Sequence, residues 1–174
     1  MFNNIFNEKQ MIELQNILKN KNQTITSAES CTGGLIASMI TEISGSSSIF
    51  RGSVVTYCNE IKEQELNVKK ETMIEYGVVS CEVVGEMLKG VIKKFDANYA
   101  IAISGVAGPN GGTKSKPVGT VVIGVSSSLN HKDIKVYNFD GDRKEIQIQA
   151  AKTALKIVFN ILNKNSWQLN ENSL

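Results

Sequence analysis

Apolar positions along the chain alternate between helical and strand spacing. Met11, Leu14, Ile17 and Leu18 form one face of an amphipathic helix near Gln10 to Leu18. Extended residues from Thr24 to Ala28 predict a strand, and helical spacing resumes past Gly33-Gly34 with Leu35, Ile36, Met39, Ile40 and Ile43. Gly52 to Tyr57 reads as a second strand and Asn59 to Leu66 as a helix with Asn59 as its cap. Val83, Val84, Met87, Leu88, Val91, Ile92 and Phe95 form a double row at i and i+4, a helix starting at Ser80 with Glu82 and Glu86 near its positive end. Tyr99 to Ile103 predicts a short buried strand that ends in a glycine-rich loop from Ser104 to Gly112. Val118 to Ser126 and Ile134 to Phe139 flank Leu129-Asn130-His131-Lys132 and predict an antiparallel hairpin. A last helix runs from about Arg143 to Leu162, and the polar tail after Asn163 is expected to fray.

Helices alternating with strands, then a hairpin, indicate an α/β fold with helices on both faces of a mixed sheet. In such sheets, ligand sites gather where strand ends meet helix starts. Three places meet that description: the turn at Ser30, the junction from Tyr57 to Lys62, and the Ser104 loop.

Length and composition narrow the function classes. The 174 residues suit one domain with a core large enough to fold without disulfides or metal. Basic and acidic residues nearly balance, 19 against 17, which argues against a dedicated nucleic-acid binder. No apolar run reaches membrane-spanning length, and the N-terminus lacks the pattern of a signal peptide, so a cytoplasmic protein is expected. Cys31, Cys58 and Cys81 form no C-x-x-C pair, and the one histidine, His131, has no second imidazole to partner it. Reduced thiols and no zinc site are expected.

The candidate chemistry centres on Ser30. Its strand-to-helix turn brings unpaired backbone N–H groups and a helix dipole that favour negative charge, which suits a nucleophile, a phosphate or an oxyanion. Ser30 or Thr32 capping the following helix explains the same residues. An imidazole-based triad is disfavoured, because His131 falls in a polar hairpin turn. A hydrolase built here therefore needs a lysine, tyrosine or carboxylate base. Lys62, in the first turn of a helix that follows a strand, can point an amine into the crevice above the sheet, and burial lowers a lysine pKa. Cys31 is a rival nucleophile, with a thiol pKa expected to fall at a helix start. The Ser104 to Gly112 loop offers backbone amides for close approach to a ligand but fits neither the phosphate loop nor the dinucleotide fingerprint. Asp142 is placed to cap the last helix and Arg143 to bind a phosphate.

Six segments together spell a known pattern. Ala28-Glu29-Ser30-Cys31-Thr32-Gly33-Gly34, Gly45-Ser46-Ser47, Val55 to Lys62, Ser104-Gly105-Val106-Ala107-Gly108-Pro109, Lys116 to Val121 and Gly141-Asp142-Arg143 resemble the CinA C-terminal domain family, from about Gln10 to Leu162. The resemblance implies a three-layer α/β/α sandwich with a mixed, mainly parallel sheet and a homodimer. It also implies a PncC-like deamidase, with no cofactor or metal, that converts nicotinamide mononucleotide to nicotinic acid mononucleotide and ammonia in pyridine nucleotide recycling. By the same resemblance Ser30 is the nucleophile, Lys62 its base and Tyr57 a nearby hydroxyl. Thr32, Gly33, Ser46, Ser104, Gly105, Ala107, Gly108 and Arg143 are then expected around the substrate. Thr32 and Gly33 are the expected oxyanion donors. The alternative is a non-catalytic nucleotide- or partner-binding module linked to competence or DNA damage. Two features depart from the family pattern. The sequence contains no N-terminal half resembling molybdopterin-binding domains, so no pyrophosphatase activity is expected. Asn110 stands where the family commonly has aspartate.

Overall fold

The structure, a computed structural model, describes residues 4–128 and 132–171. His131 and the rest of the expected hairpin turn up to Asn130 lie outside them. The elements are α1 (Glu8–Asn20), β1 (Ile25–Glu29), α2 (Leu35–Thr41), β2 (Phe50–Val55), α3 (Asn59–Leu66), α4 (Lys70–Tyr76), α5 (Cys81–Phe95), β3 (Tyr99–Gly105), β4 (Thr120–Ser127), β5 (Lys132–Asn138) and α6 (Arg143–Glu171), with a short 3-10 turn at Ser46–Ser48. They form one five-stranded sheet in the order β2-β1-β3-β4-β5. β1 pairs in parallel with β2 and β3, while β3–β4 and β4–β5 pair antiparallel. Only β4 therefore runs against the others, which gives the mixed, mainly parallel sheet that was expected.

The two sheet faces differ in side-chain size. Ile25, Tyr99, Ile101, Ile103, Val121, Ile123 and Val125 pack with α1, α2 and α6 on one side. Ala28, Ala100, Ala102 and Val122 meet α5 and the ends of α3 and α4 on the other. The small residues let α5 lie close: a Cβ at Gly124 would stand 2.6 Å from Val84 Cγ1 and 2.8 Å from Leu88 Cδ1. This alternation follows from the period-2 geometry of strands.

Several elements end differently from the sequence reading. Cys58, not Asn59, is the N-cap of α3 and makes no side-chain cap bond. Ser80 does cap α5, its side chain accepting from the Val83 N–H. Asp142 accepts from the Glu145 N–H while Glu145 accepts from the Asp142 N–H, a reciprocal box at the start of α6. That helix continues to Glu171, past the expected end at Leu162. Helix α4 was not anticipated, because Met73 is its single buried residue and no apolar stripe announces it.

The connections prepare a crevice. β1 leads into α2 on one face, and the neighbouring β2 leads through α3 and α5 on the other. Adjacent parallel strands whose outgoing loops part to opposite faces open a gap at their carboxyl ends. Ser30 follows β1 and Thr56 follows β2 at that gap.

Candidate functional site

Lys62 is 2% exposed and among the largest fully buried side chains of the protein. It lies in the first turns of α3, where side chains lean back toward the helix start. Its Nζ therefore returns to the end of β2, donating to the Thr56 carbonyl at 2.7 Å and the Tyr57 carbonyl at 3.4 Å. The third contact is with Ser30 Oγ at 3.2 Å. Among the described residues, no carboxylate forms an ion pair with this amine. Burial pushes the Lys62 pKa below its ordinary value of 10.5; thiols at Cys58 and Cys31 and the Glu60 carboxylate oppose that shift. A neutral amine has two N–H groups and one lone pair. Two backbone carbonyls can occupy the N–H groups and leave the lone pair for the Ser30 hydroxyl.

The turn after Ser30 is held by a residue the sequence reading passed over. Glu29 is fully buried. Its carboxylate accepts from Thr32 Oγ1 at 2.7 Å and from the N–H groups of Gly34, Ile36 and Ala37 at 3.0, 3.1 and 2.9 Å. Glu29, rather than Ser30 or Thr32, thus satisfies the start of α2, whose N-cap Gly34 makes no side-chain bond. The helix terminus is therefore filled by an internal anion and is not open to a substrate's charge. An acidic residue just ahead of a glycine pair was the available signal.

This wiring separates the residues expected around the substrate. The Gly33 N–H is spent on the Ser30 carbonyl at 3.1 Å and Thr32 Oγ1 on Glu29. Neither residue lines the pocket beside Ser30. The N–H groups of Cys31 and Thr32 donate to no other residue among the described ones. Ser46 begins the 3-10 turn that precedes β2, so it sits at the opposite end of the sheet from Ser30. Cys31 is buried, and burial pushes its thiol up to about 12, opposite to the fall expected at a helix start. It is no thiolate at neutral pH.

The remaining candidates come together. Ser30, Cys31, Tyr57, Lys62, Ser104, Gly105, Ala107 and Arg143 line one pocket of about 200 Å³. Asn59, Val78 and Val79 complete it, none of them anticipated as site residues. Ser104 Oγ donates to the Val78 carbonyl at 2.7 Å and ties β3 to the segment before α5. Arg143, from the first turn of α6, spans the rim: it donates to the exposed Tyr57 hydroxyl at 2.6 Å and to the Gly108 carbonyl at 2.7 Å. Arg143 also lines a second pocket of about 410 Å³ that shares Val78, Val79, Gly105 and Ala107 with the first and adds Gly108, Asn110, Thr113 and Lys116. Among the described residues no group of three or more His, Cys, Asp or Glu is placed to hold a metal, and no helix is long and apolar enough to cross a membrane.

A model of the CinA C-terminal domain matches residues 7–162. The chain belongs to that family. A CinA-like protein of Endomicrobium trichonymphae is 50% identical over 142 residues, covering 82% of this chain and 33% of that protein. The chain thus spans about a third of the length of the CinA-like relatives it matches. The nicotinamide-nucleotide amidohydrolase PncC of Escherichia coli K12 is 43% identical over 149 residues, covering 86% of this chain and 90% of that protein. Among solved structures, the competence/damage inducible protein CihA from Agrobacterium tumefaciens superposes with a TM-score of 0.86 at 35% identity, covering 90% of this chain and 94% of that one.

Proposed function

We propose that this CinA domain hydrolyses the carboxamide of nicotinamide mononucleotide to nicotinic acid mononucleotide and ammonia, as a step of pyridine nucleotide recycling. Ser30 is the nucleophile and Lys62 the general base. The observation that carries this reading is the 3.2 Å contact between a buried lysine amine, its pKa lowered, and a serine hydroxyl at the carboxyl end of β1. Similarity to the Escherichia coli amidohydrolase supplies the substrate. Pocket sizes support it too. The space beside Ser30 is smaller than the roughly 300–1,000 Å³ of whole small-molecule sites and suits one ring with its amide. The adjoining larger space, rimmed by Arg143, takes the ribose and phosphate.

Lys62 takes the Ser30 proton as Oγ attacks the amide carbon, forming a tetrahedral intermediate. The backbone N–H of Cys31, the residue of the turn that lines the pocket with Ser30, stabilises its oxygen. The carbon–nitrogen bond breaks as the Lys62 ammonium returns the proton to the leaving group, which departs as ammonia and leaves an acyl ester on Ser30. A water then loses a proton to Lys62 and attacks the ester. Ser30 regains its proton and the acid is released. Tyr57, at the rim with Arg143, orients the substrate.

The test is ammonia release and product identity for the wild type, Ser30→Ala, Lys62→Ala and Cys31→Ala. Activity in the wild type and Cys31→Ala, lost in the other two, is the expected outcome. An inert wild type points to a binding module, and an active Ser30→Ala removes the mechanism.

A further inference from the structure

Two peptide groups follow Ser30 before the glycine pair, and each is pinned through its carbonyl. The Ser30 carbonyl accepts from the Gly33 N–H at 3.1 Å. The Cys31 carbonyl accepts from the side-chain amide of Gln147 at 2.7 Å. In a trans peptide the C=O and N–H point in opposite directions. Fixing these carbonyls therefore fixes the N–H groups of Cys31 and Thr32, the ones that donate to no other residue among those described.

The turn needs such restraint. It runs into Gly33 and Gly34 at φ of 62° and 99°, where glycine gives the backbone unusual freedom. Glu29 holds the Thr32 hydroxyl and the Gly34 N–H, but nothing within the turn holds the Cys31 carbonyl. That restraint comes from a position 116 residues away in sequence. Gln147 lies one helical turn beyond Arg143, on the same face of α6. The helix beneath it is anchored by buried Ile146, Ala150, Ala151 and Ala154.

We propose that Gln147 is a positioning residue for the hydrolysis: by drawing the Cys31 carbonyl toward α6, it keeps the Cys31–Thr32 peptide from flipping and holds Cys31, whose N–H is the oxyanion donor, in place beside Ser30. This rests on the Ser30 and Lys62 reading above. Released, that peptide can turn a carbonyl oxygen toward the place where the intermediate's negative oxygen forms. The cost then falls on the transition state and not on substrate binding.

The experiment compares the wild type with Gln147→Met and Gln147→Glu, which keep side-chain length but lose the N–H donor. Gln147→Lys keeps a donor. Gln149→Ala, on the same helix, is the control, since the Gln149 amide bonds the Asp140 carbonyl ahead of α6 and not the turn at Ser30. Four quantities are read: kcat and KM for nicotinamide mononucleotide, the rate at which a fluorophosphonate labels Ser30, and the melting temperature. In the Met and Glu variants kcat and Ser30 labelling fall about ten- to a hundredfold, a part of what losing a whole oxyanion donor costs, with KM near the wild-type value. The Lys variant recovers much of the loss, and Gln149→Ala keeps wild-type kcat. The proposal is overturned if the Met and Glu variants retain kcat, if KM rises in its place, or if kcat merely tracks melting temperature across the series, Gln149→Ala included. A wild type that neither deamidates nor labels at Ser30 overturns the Ser30 and Lys62 reading instead. A wild type that labels at Ser30 without turning over this nucleotide leaves the labelling comparison to decide the role of Gln147.

Discussion

Lys62 Nζ lies closer to the Thr56 carbonyl, at 2.7 Å, than to the Ser30 hydroxyl, at 3.2 Å. The backbone aims the amine, and the serine receives what the carbonyls leave free. Thr56 is itself fixed, its N–H donating to the Glu29 carbonyl at 2.8 Å. One rung beyond the β1–β2 ladder thus links Lys62 to the residue preceding Ser30.

The pH dependence follows from this arrangement. The amine acts as a base only when neutral, and burial lowers its pKa below 10.5. Activity should rise with pH along a limb whose midpoint lies below that value. Lys62→Arg should be inactive throughout, because a guanidinium keeps its proton in any usable buffer. A pH–rate profile of both proteins checks this. A limb centred at or above 10.5 contradicts it.

The same burial carries a stability cost. Between the lowered pKa of the folded protein and the ordinary value of the unfolded chain, only the unfolded chain holds the proton, so stability rises with pH across that window. Below the window the full penalty applies. Lys62→Met removes it and should melt at or above the wild type at neutral pH while losing activity, with the advantage shrinking as pH approaches 10.5. Thermal melts across pH measure this.

Cysteine reactivity should separate the two thiols near the site. Cys31 is buried with its pKa raised to about 12, whereas Cys58 is exposed. Iodoacetamide at mildly alkaline pH should modify Cys58 and spare Cys31, as read by peptide mass spectrometry. Cys31→Ala should retain most of the activity; its loss together with fast Cys31 labelling would restore the thiol as a candidate nucleophile.

Glu29 should prove the most sensitive residue for folding. Glu29→Gln turns an amide NH₂ toward a nest of N–H donors, leaving buried groups unpaired. Its expected cost is about 2–4 kcal/mol, from lost charge-assisted hydrogen bonds and unsatisfied partners. Denaturant unfolding measures it. A loss well under about 1 kcal/mol would mean that the turn is held by other contacts.

Much of this was legible in the chain. The double row from Val83 to Phe95 became α5, capped by Ser80. Ser30, Tyr57, Lys62, Ser104 and Arg143 were singled out and now surround one pocket. Residues without a local signature were missed. Helix α4 has one buried side chain, so its neighbours Val78 and Val79 were not connected with the site. Gln147 was invisible because its meaning lies in a carbonyl on a distant turn.

The sequence by itself determined the alternation of strands and helices, the presence of a single histidine, and the family. These depend on periodicity and residue type, which are local. Only the tertiary structure decided that Glu29 fills the helix start, that Cys31 stays a thiol, and that Ser46 lies at the far end of the sheet. Those outcomes depend on which atoms exclude water from which others, and burial of that kind exists only once the sheet and its two helical layers have closed.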